Sequence, residues 1–207
     1  MSTPRLVLAS RNPHKVAELS RILADCGLAV DLVGVDAFDN VPEVAETGQT
    51  FEENALLKAH AVAAATGLPA VADDSGLEVD ALNGMPGVLS ARWSGRHGDD
   101  AGNLRLVLGQ LEDVPDQRRG AAFHCAAAVA LPDGSALVAH GRWTGHLVRA
   151  PRGSNGFGYD PIFVPDGQGR TSAEMSPPEK DAESHRARAL RALAPQVAEL
   201  AAAARLG

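Results

Sequence analysis

The chain has 207 residues, 45% hydrophobic and 22% charged, and its 26 acidic residues against 19 Lys and Arg give a net charge of −7. That length suits one domain, or two lobes sharing a core. The acidic balance excludes broad, sequence-independent nucleic-acid binding, which needs basic surface, and an aromatic content of 4% excludes a stacking platform along a nucleic-acid strand. Cys26 and Cys125 form no CxxC pair, so neither a disulfide scaffold nor a zinc finger is expected, and a reduced cytoplasm is. Leu6–Ala9 is too short for a signal-peptide core, and Ala121–Leu131, broken by His124, is too short to span a bilayer.

Leu6–Ala9 reads as a short buried strand. Asn12 and Pro13 then suit the cap and first position of a helix, with Val16, Leu19, Ile22 and Leu23 as its apolar stripe and Gly27 as its end. Ala29–Val33 is a second strand, and residues 35–49 form an acidic loop. Thr50 and Glu53 have capping-box spacing before a helix whose buried face is Phe51, Ala55, Ala59 and Val62, ended by Gly67 and Pro69. Pro69–Ala72 reads as a strand ending at Asp73-Asp74-Ser75-Gly76, and Leu77–Leu82 as a further extended piece. A glycine-rich loop at 83–98 precedes a helix near Ala101–Leu111. Ala121–Leu131 and Ala136–Val148 flank Pro132-Asp133-Gly134, a hairpin signal. A second glycine-rich loop covers Pro151–Gly158, Asp160–Val164 is a short strand, and a helix from about Ser184 carries Ala187, Leu190, Val197 and Leu200 on one face. Alternating strands and helices with an inserted hairpin predict a mixed α/β sheet.

Four segments carry chemistry. Ser10-Arg11-Asn12-Pro13-His14-Lys15 lies where a strand passes into a helix, so free amides, the helix dipole and Lys15 can seat an anion. The plain alternative is a capped helix with a solvated lysine. Asp73 and Asp74 offer carboxylates for Mg²⁺ or for general-base work, or are merely an acidic strand exit. Glu46, before Thr47-Gly48, is a further metal carboxylate or a solvated loop acid. Between residues 153 and 161 the glycines let a ligand approach backbone closely, and Phe157 or Tyr159 can stack on a base or plug the core. Lys180, His185 and Arg186 place cations near a helix start, where the dipole does not favour them. An anionic or carbonyl-bearing ligand would explain them, as would plain solvation.

In order along the chain stand LASRNPHKVAEL, ETGQTFEENALLKA, AVADDSGLEVDALNGMPGVLSARWSG, GFGYDPIF and EKDAESHRARAL. Together they resemble the RdgB-like inosine triphosphate pyrophosphatases over nearly the whole chain. The resemblance implies a single pyrophosphatase domain over 1–207: two α/β lobes around a long mixed sheet flanked by helices, the active site in the cleft between them, and a homodimer. It implies Mg²⁺-dependent hydrolysis of ITP, dITP and XTP to the monophosphate and pyrophosphate. By motif match, Ser10, Arg11, Asn12, Pro13, His14, Lys15 and Lys58 would hold the phosphates. Asp74 would be the base and a metal ligand, supported by Glu46 and Asp73, and Ser75 would touch substrate. Phe157, Gly158, Tyr159 and Asp160 would frame the purine, while Lys180, His185 and Arg186 would read its 6-keto edge. The rivals are a Maf-like pyrophosphatase for other nucleotides, whose phosphate loop carries Ser-Pro and arginines, and a non-enzymatic nucleotide sensor. Carboxylates at 73 and 74 argue against the sensor, because they repel a triphosphate unless a cation intervenes.

Overall fold

The structure, a computed structural model, describes residues 5–27 and 30–203, with side chains as far as residue 199. Residues 1–4, Ala29 of the second expected strand and the Leu200 side chain of the last expected helix lie outside the described residues. The chain runs β1 (Arg5–Leu8), α1 (Pro13–Asp25), β2 (Asp31–Gly34), α2 (Phe51–Thr66), β3 (Ala70–Val79), α3 (Asp100–Gln110), β4 (Gly120–Ala130), β5 (Ala136–Leu147), β6 (Phe163–Pro165), α4 (Pro177–Glu183) and α5 (His185–Ala203), with short 3-10 turns between. The strands form one mixed sheet in the order β2-β1-β3-β4-β5-β6. β1 is parallel to β2 and to β3, and β5 is antiparallel to β6. β4 and β5 are neighbours joined by residues 131–135, a link far too short for a parallel crossover, so the predicted hairpin is present.

Local chemistry explains the helix ends. The Asn12 side chain accepts from the His14 and Lys15 amides at the start of α1, and Pro13 costs nothing at a position whose N–H has no helical partner. Thr50 Oγ1 accepts from the Glu53 amide at the start of α2, but the Glu53 carboxylate turns to the Gln49 amide at 2.6 Å. The expected box is therefore half formed, its acid spent on the preceding loop. Gly67 closes α2 with φ of 68°, a left-handed conformation that favours glycine.

Two expected boundaries change. β3 does not stop before the acid pair: it runs unbroken from Ala70 to Val79, and a 3-10 turn at Asp80–Leu82 replaces the end of the second extended piece. Asp73 and Asp74 are thus mid-strand, each facing a different side. The helix α4, absent from the sequence reading, precedes α5. Ser176 and Glu179 form its capping box, and Pro177 occupies its first position. The short strand β6 begins at Phe163, after a 3-10 turn at Asp160–Ile162.

The chain forms two compact units, Met1–Asp74 with Cys125–Gly141 and Arg186–Gly207, and Ser75–His124 with Arg142–His185. In the first, the strands are apolar on both faces. Leu6, Leu8, Val71, Ala127 and Val129 pack with Leu19 and Ile22 of α1 and Leu190 and Leu193 of α5. Val7, Ala70, Ala72, Ala126 and Ala128 pack with Ala55, Ala59 and Val62 of α2. Such two-sided burial is why these strands read as continuous apolar runs. Cys125 is buried in this unit, and Cys26 and Cys125 are both free thiols.

The second unit packs Leu77 and Val79 with Leu104 and Val107 of α3 and with Phe123, Trp143, Leu147, Ile162 and Phe163. Inside it Arg119 is 2% exposed, and its guanidinium donates to the carbonyls of Leu147 at 2.9 Å, Leu111 at 2.7 Å and Val148 at 3.2 Å. The Leu111 carbonyl lies at the C-cap of α3, so Arg119 satisfies a helix end that has no intrahelical donor. Among the described residues no helix is long and apolar enough to cross a membrane. Arg119→Met should remove the three donors and keep the bulk, lowering unfolding free energy by about 3 kcal/mol in denaturant titration. A loss under 1 kcal/mol would show that water or rearrangement replaces those bonds.

Candidate functional site

At the start of α1 the Ser10 hydroxyl accepts from the Asn12 amide at 3.3 Å, and the first turn of the helix carries no acid. Its positive end is therefore not neutralised from within. Arg11 turns toward the 35–41 loop, donating to the Val41 carbonyl at 2.8 Å with Asp36 at 3.5 Å. His14 is exposed and enters the helix through its amide. Lys15 points inward, its ammonium 3.2 Å from Asp73 Oδ2.

The strongest cluster lies on the α2 side of β3. Lys58, on the second turn of α2, sets its ammonium 2.8 Å from Glu46 Oε1 and 2.8 Å from Asp74 Oδ1. Burial alone would push Glu46 up, but the charge and hydrogen bond of Lys58, with Lys15 beyond, hold it at about 2. For Asp74 burial wins. Its pKa is raised above the ordinary range despite Lys58 and Lys15, with Glu46 adding repulsion. Burial lowers Lys58, but Asp74, Asp73 and Glu46 together raise it, so the ammonium stays charged. One cationic position thus faces two carboxylates whose proton affinities have been driven apart.

The other face of β3 carries Asp73, which is 3% exposed. Its Oδ2 accepts from Arg186 Nε at 3.0 Å and also pairs with Lys15. Arg186 Nη1 donates to Glu18 Oε2 at 3.0 Å, and both residues are buried. Two carboxylates keep Arg186 charged despite the desolvation that would lower its pKa, and the outcome is a raised value. Here the side chains of Lys15, Asp73, Arg186 and Glu18 join α1, β3 and α5. The structure thus sets Arg186 among carboxylates in the first unit, whereas Lys180 and His185 belong to the second.

In the second unit, residues 157–160 form a tight turn around one carboxylate. Asp160 is 2% exposed. Its Oδ2 accepts from the Phe157 amide at 2.9 Å and the Lys180 ammonium at 2.6 Å, while Oδ1 accepts from Ser172 Oγ at 2.8 Å. A Cβ on Gly156 would collide with Asp160 Oδ2, so only glycine lets the loop wrap so closely. The Gly158 amide donates to Asp100 Oδ2 at 3.0 Å. The Lys180 ammonium lies 5.5 Å from the Phe157 ring centroid, within cation–π range. Tyr159 divides its duties: its ring is buried in the core and its hydroxyl donates to the Ser90 carbonyl at 2.8 Å. His185 is stacked on Phe123 at 4.8 Å between centroids. Ser75, half-buried, follows Asp74 along β3.

Sequence reasoning passed over Glu18, Asn54 and Ser172. The first two carried a signal. Glu18 sits three residues after Lys15 and four before Ile22, and Asn54 four before Lys58, so each is a polar side chain on a helix face otherwise read as buried. Ser172 carried none, because it lies on a short 3-10 turn with no apolar periodicity to mark it as buried. Among the described residues no group of three or more His, Cys, Asp or Glu converges to hold a metal. Glu46 and Asp74 are the pair that shares one cation position. Glu46 is ionised in the fold down to about 2, against an ordinary 4.5. Its charge therefore stabilises the protein above the ordinary value, and that contribution fades as pH falls toward 2. Glu46→Gln should melt below the unsubstituted protein at pH 7, with the gap narrowing below pH about 4.5. A gap that does not change with pH would assign the loss to packing instead.

The chain matches the Ham1 family over residues 6–196. It is 62% identical over 196 residues to the dITP/XTP pyrophosphatase of Streptomyces coelicolor, covering 95% of this chain and 98% of that one. It is 61% identical to the enzyme of the same name from Nocardia farcinica, covering 97% and 98%. Among solved structures, a HAM1 protein from Coxiella burnetii superposes with a TM-score of 0.85 at 46% identity, covering 95% of this chain and 99% of that one. A nucleoside-triphosphatase / dITP/XTP pyrophosphatase from Mycobacterium abscessus gives 0.75 at 60% identity, covering 93% and 99%. With its mixed six-stranded sheet and motifs matched almost from end to end, this chain belongs to the Ham1 family.

Proposed function

We propose that this protein hydrolyses non-canonical purine nucleoside triphosphates (dITP, ITP and XTP) to the nucleoside monophosphate and pyrophosphate. The observation that carries the reading is the Lys58 ammonium held by Glu46 and Asp74 at 2.8 Å each, in a chain 62% identical to a dITP/XTP pyrophosphatase. A triphosphate brings several negative charges. Lys15, Lys58 and the start of α1 offer cationic and N–H partners for them. Asp74, its pKa raised by burial, suits a general base that orients and deprotonates the attacking water.

A divalent cation fits this donor set. Mg²⁺ favours one or two carboxylates and fills its remaining positions with water and phosphate oxygens. Glu46 and Asp74 already converge on one cation. Asp73 has its Oδ2 engaged with Lys15 and Arg186 on the opposite face, so it serves the site by holding Lys15. When bound, the metal would supply charge neutralisation at the phosphates. The residues of the chain position the water, hold the phosphates and take up the proton at Asp74.

The base is assigned to the second unit. Phe157 offers a ring, and Lys180, fixed by Asp160, offers an N–H donor for a 6-keto oxygen. A 6-amino group would leave that donor unmatched, worth ~1–3 kcal/mol against adenine. The Arg186 guanidinium is held by Asp73 and Glu18. The same reading carries a homodimer and a cytoplasmic setting, which sedimentation and fractionation would check.

Pyrophosphate release should be rapid from ITP, dITP and XTP with Mg²⁺, and slow from ATP, GTP and dTTP. Binding without turnover would favour a sensor, and turnover of dTTP or UTP would move the specificity elsewhere. Asp74→Asn should lower kcat about 10³-fold with native thermal stability, and a near-normal rate would remove Asp74 from the base role. Lys180→Met should narrow the ITP-to-ATP ratio of kcat/KM about tenfold, whereas an unchanged ratio would locate discrimination at other groups.

A further inference from the structure

Asn54 lies on the first turn of α2, is fully buried, and touches both pieces of the Lys58 cluster. Its Oδ1 accepts from the Gly48 amide at 2.8 Å, and its Nδ2 donates to Asp74 Oδ2 at 3.3 Å. The orientation of the amide is fixed by chemistry: a backbone N–H can only donate, so the oxygen faces Gly48 and the NH₂ faces the carboxylate. Glycine at position 48 permits the approach, since a Cβ there would lie 2.8 Å from Oδ1 and 2.6 Å from Glu53 Cβ. Nothing in the function proposed above uses this residue.

Each oxygen of Asp74 has its own tie. Oδ1 is held by the Lys58 ammonium, which also binds Glu46, and Oδ2 by the Asn54 amide, which also binds the loop two residues beyond Glu46. The two ties differ in one respect that matters. An incoming phosphate competes directly for the Lys58 charge and weakens its grip on Asp74. The amide is neutral and fully buried, and a phosphate has little hold on it. We propose that Asn54 is a positioning residue that keeps Asp74 Oδ2 aimed, and the Glu46 loop docked beside it, while Lys58 engages the substrate. This rests on the reading of Asp74 as the base.

Two substitutions separate this from a packing role. Asn54→Asp keeps the size and the acceptor for Gly48 but sets a second carboxylate against Asp74 in place of the donor, so its kcat is read together with that of the neutral Asn54→Ala. Asn54→Ala removes both contacts. Both should lower kcat for ITP about 10²-fold, as expected when a reacting group is misplaced by about 1 Å. KM, and the Kd of an α,β-methylene ITP analogue that cannot be hydrolysed, should stay within about threefold of wild type. A purely structural residue would instead lower the melting temperature and leave kcat intact in Asn54→Asp, and that result would overturn the proposal.

If neither variant folds, the wild-type protein still decides. In ¹⁵N-labelled protein the Asn54 side-chain amide protons should remain slow to exchange when the analogue saturates the enzyme. Their rapid exchange in that complex would overturn the proposal. Asp74→Asn is assayed alongside. An inactive wild type, or a fully active Asp74→Asn, removes the functional reading and this inference with it. An active wild type with inactive Asp74→Asn and unimpaired Asn54→Asp removes this inference alone.

Discussion

Adjacent residues in a β-strand point to opposite faces of the sheet, and β3 carries two carboxylates in succession. Because Asp73 and Asp74 lie mid-strand, one must answer to α1 and α5 and the other to α2. Neither can stay buried without a cation. Asp73 takes Lys15 and Arg186, and Asp74 takes Lys58. The core follows the same parity, with Val71 on the side of Asp73 and Ala70 and Ala72 on the side of Asp74. The acid pair thus dictates which charged residues the three helices have to supply.

The two faces solve their charge problem differently. On the Asp73 face two carboxylates meet two cations, Glu18 and Asp73 against Arg186 and Lys15. Buried pairs of this kind repay their desolvation only when geometry is good, and they contribute arrangement more dependably than stability. On the Asp74 face one ammonium serves two acids. That face is short of positive charge; burial, with repulsion from Glu46, keeps the Asp74 pKa up, while Lys58 holds Glu46 down. A site short of positive charge can accept a divalent cation, and a carboxylate with raised proton affinity can take a proton from water.

The second unit is organised by one carboxylate with no free oxygen. Asp160 collects the Phe157 amide, Lys180 and Ser172, so the turn that carries Phe157 and the short helix that carries Lys180 are fixed to the same point. Discrimination at a planar base would depend on such fixed donors, because a mobile ammonium could turn to water instead of being left unpaired by an amino edge. Gly156, which tolerates no Cβ against Asp160, belongs to the same requirement.

Much of this was legible in the sequence. The caps at Asn12 and Thr50, the ends at Gly27 and Gly67, the hairpin at 132–134 and the Ham1 kinship are local patterns, set by chemistry between near neighbours. The α4 cap at Ser176 and Glu179 was equally local and went unread. What tertiary structure decided involves partners far apart in sequence. β3 continues past the acids because cations from α1, α2 and α5 neutralise them, and no local propensity records those partners. Arg186 joins Glu18 across 168 residues, and Asn54 joins Asp74 across 20. A polar residue on an apolar helix face signals that a buried partner exists. Which partner it is depends on the folding of distant segments into contact, and only that distinguishes a solvated side chain from one that holds a carboxylate in place.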